Sequence, residues 1–214
     1  MFIFKNEAEQ IYSLCFDDPY KLAMTFLRCQ EYYESENPKF YRKKFTIIQY
    51  MDWYFKKSGS FEYHLDWSGF NFSSTIVDEV NRLGIDDINH YDLLLKSITE
   101  MAKSDANNDR IYLIGYKKGN KGTLRHEIAH GRFYVNGEYR VKIENLFAKL
   151  PIDLQNKLYD SMMKAGYAQS SCVDEFQAYA ITNNERRFWT EKKTPELQEF
   201  FDNIRKTYKE FYPE

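Results

Sequence analysis

Cysteine, proline and glycine are all scarce in this 214-residue chain, and so is net charge. The three cysteines (Cys15, Cys29 and Cys172) are far apart, odd in number and form no CxxC pair. That pattern excludes a disulfide framework and predicts idle or buried thiols in a reducing compartment. With 5 prolines and 9 glycines there is no long linker, and neither a repeat nor a low-complexity tract occurs. No run of about 18 apolar residues exists, so no membrane span is expected. The 30 basic and 32 acidic residues leave a charge of −2. Nucleic-acid binding as the main task normally needs a basic face, so it is not expected; a local basic patch remains compatible with the balance. The opening residues Met1-Phe2-Ile3-Phe4-Lys5 lack a basic stretch followed by an apolar one. No export signal is read there, and a cytoplasmic setting is expected.

Apolar residues (43%) and charged residues (29%) are present in ordinary globular proportions. The length suits one domain, or one domain with a helical annex. Aromatic content is high, with 18 Tyr, 17 Phe and 3 Trp. A Tyr/Phe-rich core explains this more simply than a tyrosine-lined groove, because a cleft uses few such side chains.

The periodicity predicts a mostly helical chain. Residues 6–16 carry Ala8, Ile11, Leu14 and Cys15 at helical spacing. Asp18-Pro19 opens a second helix to about residue 35, and a third covers about 39–57. Residues 61–72 alternate aromatic and polar side chains, as a strand or an irregular aromatic loop would. Ser74 caps a helix over about 75–83, and another covers about 86–103. The best strand signal is 110–117, between the turns Asn107-Asn108-Asp109 and Lys118-Gly119-Asn120-Lys121-Gly122. Thr123 then caps a helix over 123–135, and Asn136-Gly137 reads as a turn. Helices over about 141–149, 151–165, 171–182 and 195–211 complete the chain. The class is therefore α+β, mostly helical with a small mixed sheet.

One of these helices carries a chemical motif, His126-Glu127-Ile128-Ala129-His130. Residues i and i+4 share a helix face, so both imidazoles can bind one ion. Glu127 leans to the side, where it can reach a water on that ion and serve as general base. Three protein ligands and one water make an open catalytic zinc site. A third ligand must therefore lie downstream. Phe133 and Asn136 stand where a metzincin would have glycine and histidine, so that extension is absent. His64 and His90 lie upstream and read as surface or core residues. The segment Val173-Asp174-Glu175-Phe176-Gln177-Ala178-Tyr179 offers Glu175, with Ala178 on the same face allowing close helix approach. Asp174 and Glu144 are fallback ligands.

His126-Glu127-x-x-His130 followed by Glu175 in a helix resembles the gluzincin group of zincin metalloproteases. The long gap, the tyrosine-bearing segment before Glu175 and the terminal helix at Thr194-Pro195 are similar to the anthrax lethal factor catalytic domain and Pro-Pro endopeptidases. The resemblance covers about 110–211. It implies a zincin-like fold in residues 106–214, preceded by a mainly helical part of unknown role in 1–105. It implies Zn2+ on His126, His130 and Glu175, Glu127 as base, and hydrolysis of a peptide bond in a protein or peptide substrate. In that family a tyrosine seven residues before the ligand glutamate faces the metal. Here Tyr167 precedes Glu175 by eight residues and Asp174 by seven. Either the register shifts by one, or Asp174 is the ligand, or Tyr167 is not the equivalent; Glu175 is kept as the ligand and Tyr167 is assigned as oxyanion donor. The strand 110–117 would be an edge strand beside the cleft, with Leu113, Gly115 and Tyr116 along the substrate.

Asp160, Asp153 and Thr182 are candidates to orient the imidazoles, and Cys172 is a candidate inhibitory thiolate. The loop Trp67-Ser68-Gly69-Phe70-Asn71 is read as a packed cap or a specificity wall. A narrow-specificity intracellular protease, such as a toxin or effector acting inside a target cell, fits this reading. A zincin-fold binding or regulatory protein without activity, its ion structural, is the alternative. A metal hydrolase acting on a non-peptide amide is the third. No oligomeric state follows from the sequence.

Overall fold

The computed structural model describes residues 1–190 and 192–213. The chain forms two compact units, 1–124 and 125–214. Among the described residues no helix is long and apolar enough to cross a membrane.

The first unit is built on a mixed four-stranded sheet. Strands β1 (Phe2–Ala8) and β2 (Ile11–Phe16) form an antiparallel hairpin whose turn holds Gln10 at a left-handed φ of 60°. The helix expected over 6–16 is thus a hairpin. All six residues of β2 are buried, and a short apolar run of this kind has no period that tells strand from helix. β2 pairs in parallel with β4 (Tyr112–Lys117), and β4 pairs antiparallel with β3 (Gly69–Ser73). The order β1-β2-β4-β3 makes β4 an interior strand. Two expectations are corrected here. The strand over 110–117 is not an edge, so the main chain of Leu113, Gly115 and Tyr116 faces paired neighbours on both sides and cannot take up an extended substrate. It also belongs to the N-terminal unit, which moves the boundary from 105/106 to 124/125.

Helix α1 (Pro19–Glu34) starts at Asp18, whose carboxylate accepts from the amides of Tyr20 and Lys21. It lies so close to β4 that a β-carbon at Gly115 would meet Phe26 at 2.5 Å and Leu22 at 2.9 Å. Phe26 in turn packs on Phe70 and Phe72 of β3, with both ring centroids at 5.4 Å. Helix α2 (Ile47–Ser58) begins later than the periodicity predicts. Thr46 and Gln49 close a capping box there, and Gly59 ends the helix at φ 81°. The aromatic stretch 61–72 becomes a short helix, α3 (Tyr63–Asp66), followed by β3. Trp67 between them is exposed while Phe70 is buried. Helices α4 (Ser74–Arg82) and α5 (His90–Ala106) complete the unit, α5 starting at a second capping box of Asn89 and Asp92. Arg28 on α1 is buried, and all its N–H groups are used. Nε and Nη2 reach Asp92 at 3.0 and 2.9 Å, and Nη1 reaches Asp87 and the Phe45 carbonyl at 3.2 and 2.8 Å. Nη2 also donates to the carbonyl of Asp87 at 3.2 Å.

Helix α6 (Lys121–Val135) carries the motif into the second unit. Its cap is Asn120, which accepts from the Thr123 amide at 3.2 Å, not Thr123 itself. Asn136, expected in a turn, caps the next helix, α7 (Gly137–Ala148). Helix α8 (Ile152–Lys164) follows Pro151, and Gly166 reverses the chain at φ 96°. Helices α9 (Cys172–Ile181) and α10 (Pro195–Phe211, capped by Thr194) complete the unit. The core here is again aromatic: Phe147 of α7 stacks on Phe176 of α9 at 5.5 Å. Glu185, buried in the α9–α10 connection, holds Lys193 and Arg205 at 2.5 Å each.

Candidate metal centre

The i, i+4 spacing on α6 brings the rings of His126 and His130 to 4.8 Å, with Nε2 to Nε2 at 3.2 Å. Glu175 projects from the first turn of α9. Its Oε2 lies 3.7 Å from each of those nitrogens. These three residues form one group with convergent ligand atoms, and no fourth His, Cys or carboxylate joins it among the described residues. A triangle with these sides has its centre about 2.1 Å from every corner. That matches the about 2.0–2.2 Å of zinc–nitrogen and zinc–carboxylate bonds. Glu175 Oε2 is buried and accepts no hydrogen bond, an expensive state for a carboxylate oxygen unless a cation meets it. The donor set therefore fits a divalent metal on chemistry and on spacing.

Asp174, the neighbour of Glu175, does a different job. Its Oδ1 accepts from His130 Nδ1 at 2.9 Å. A carboxylate can only accept, so the proton sits on Nδ1 and Nε2 is left to face Glu175. Gln177 Nε2 donates to the same Oδ1 at 2.9 Å, and the Tyr139 hydroxyl donates to Gln177 Oε1 at 2.9 Å. Tyr139 and Gln177 are completely buried. A hydrogen-bonded chain thus runs from a core tyrosine on α7 through α9 to His130 of the converging triad. Burial alone would push the His130 imidazole down. Asp174, Glu175 and Glu127 outweigh it and raise its pKa to about 10. Without metal, His130 is therefore an imidazolium at neutral pH. Glu175 is held below the usual carboxylate range by the two histidines and Arg187, against burial.

Glu127 is buried, at 7% exposure, and its charge is felt by His130 and Tyr179. Tyr179, one turn after Glu175, sets its ring 4.7 Å from that of His126. Its hydroxyl meets that of Tyr167 at 2.6 Å. Burial and Glu175 push the Tyr167 hydroxyl up, so it stays protonated at any ordinary pH.

Of the residues marked in the sequence, the fold brings together His126, His130, Glu175 and Tyr167, with Glu127 acting on the same group. Asp174 orients a histidine, a role expected of Asp160, Asp153 or Thr182. The Thr182 hydroxyl instead bonds back to the Ala178 carbonyl at 2.8 Å, and Asp160 lines a separate polar pocket with Lys157 and Lys164. The Cys172 thiol is turned to the carbonyl of Ala168 at 3.4 Å and is pushed up to about 11 by burial and Glu175, so it is not a ready thiolate. His64 and His90 lie in the first unit, against Tyr20 and Tyr91 respectively. Tyr179, Gln177 and Tyr139 were not marked as site residues. The i+4 relation of Tyr179 to Glu175 was the one available signal.

No protein-family profile matches the chain, and no curated protein or solved structure shows significant similarity to it.

Proposed function

We propose that the chain is a zinc-dependent endopeptidase of zincin-like fold that acts in the cytoplasm on a protein or peptide. The observation that carries this reading is the triangle of His126, His130 and a buried Glu175 oxygen that accepts no hydrogen bond, with a buried carboxylate, Glu127, beside it in sequence. His126, His130 and Glu175 hold the ion. Bound zinc polarises a substrate carbonyl and lowers the pKa of a water to about 7. Glu127 takes the proton of the attacking water and passes it to the leaving amine. The Tyr167–Tyr179 pair shares one hydrogen bond between two hydroxyls, which leaves one O–H free for the carbonyl oxygen as charge builds on it. Three free, buried cysteines are compatible with a reducing setting.

The test combines zinc analysis of the purified protein with a peptide-library digest by the parent and by Glu127→Gln. About one equivalent of zinc is expected in both. Cleavage should fall by about 10²–10⁴-fold in the variant. Equal cleavage by the two forms would remove Glu127 from its role. Absence of zinc from the parent would remove the reading altogether.

A further inference from the structure

The second unit holds another constellation that the metal chemistry does not use. A pocket of about 180 Å³ is lined by Arg125 of α6, by Asn183 after α9, and by Arg205, Tyr208, Lys209 and Tyr212 of the last helix and its end. Three of its lining residues are cations and none is an acid. Arg205 is partly neutralised elsewhere, by Glu185 and Asp202 at 2.5 and 2.9 Å. Arg125 and Lys209 make no ion pair among the described residues. A further arginine, outside the lining, packs on two of the lining tyrosines. Arg132 lies two turns after Arg125 on α6, and its guanidinium sits 4.9 and 4.2 Å from the ring centroids of Tyr208 and Tyr212. Its Nε is buried and without a partner. Asn183 adds a side-chain amide from a left-handed backbone at φ 56°.

Arg205 is offset by Glu185 and Asp202, but Arg125 and Lys209 bring two positive charges to one concavity with no acid in its lining, and an anion between them would be attracted by both. Arg125 and Lys209 are exposed at the rim of the concavity, and two positive charges without acids of their own favour a dianion over a single carboxylate. Guanidinium forks and an ammonium are the groups that bind phosphoryl oxygens. We propose that this pocket is a phosphoryl-binding site, on a face of α6 distinct from the one that carries His126 and His130.

The experiment uses the full chain kept metal-free with a chelator, at constant ionic strength. Inorganic phosphate and O-phosphotyrosine are titrated separately against chloride, with 31P line broadening and thermal unfolding as readouts. Saturable binding near one equivalent is expected, with a rise in unfolding temperature that follows ligand concentration. Arg125→Gln and Lys209→Gln should each weaken binding at least tenfold, and Lys39→Gln with Lys56→Gln in the first unit should leave it unchanged. Both residues of the first pair lie at the surface of the pocket, and circular dichroism checks that each variant folds. Tighter binding of inorganic phosphate identifies a free ion as the source; tighter binding of the ester identifies a phosphoryl group carried on another molecule. A response no larger than that to chloride, or one that survives both pocket substitutions, overturns the assignment.

Discussion

Arg28 centres a buried cluster of charge in the first unit and Glu175 one in the second, and the two are finished differently. Around Arg28 every guanidinium N–H has an acceptor, supplied by Asp87, Asp92 and the Phe45 carbonyl. Around Glu175 one carboxylate oxygen has no donor, and two imidazole nitrogens converge on it. The first cluster is complete as folded and ties α1 to the residues around α5. In the second, two histidine nitrogens, one on the His130 imidazolium, lie 3.7 Å from that oxygen without donating to it. A buried network that closes on itself serves architecture, whereas one that stays open with its lone pairs aimed at a common point serves a ligand.

The comparison breaks most visibly in stability. Arg28→Met leaves Asp87 and Asp92 facing an apolar side chain and should cost about 3–5 kcal/mol, read from denaturant unfolding. Glu175→Gln should abolish zinc uptake while changing the unfolding of the metal-free protein several-fold less. Comparable destabilisation by both would mean that the Glu175 cluster is as closed as the Arg28 one. On the activity side, Tyr167→Phe should lower kcat by about 10²-fold with little change in KM, as the loss of an oxyanion donor does. An unchanged kcat would pass that role to Tyr179. Removing the orienting carboxylate with Asp174→Asn should weaken zinc binding about 10–100-fold, measured by chelator competition. An effect as total as that of Glu175→Gln would make Asp174 a ligand.

The smallest effect per step is that of pH. His130 has a folded pKa raised to about 10 from 6.5, so the charged ring favours the metal-free fold. That contribution is fully present below about 6.5 and is lost as pH rises through about 10. Zinc must displace the proton, so its affinity should rise up to about tenfold per pH unit between pH 7 and 9. A flat profile would show that His130 is already neutral.

Much of this was legible locally and little of it at long range. His126 and His130 could be read because their geometry is fixed by one helical turn. The termini of α1 and α10 could be read because Asp18-Pro19 and Thr194-Pro195 cap them. The hairpin β1–β2 was hidden because β2 is covered on all sides, so its residues alternate with nothing. That β4 is interior depends on partners about 40 and 100 residues away, which no window of sequence contains. Asp174 and Glu175 are adjacent acids. Which one converges with the two Nε2 atoms is set by the rotation of α9, and so by how Phe176, Ala178 and Tyr179 pack.

The bonds from Tyr139 to Gln177 to Asp174 place an unusual constraint on evolutionary drift. By volume and burial, position 139 would accept phenylalanine. The exchange would leave the Gln177 carbonyl without its donor and the amide free to turn, offering oxygen rather than N–H to Asp174. Sequences that diverge from this one while keeping its chemistry should therefore retain a phenol at 139 or change 139, 177 and 174 together.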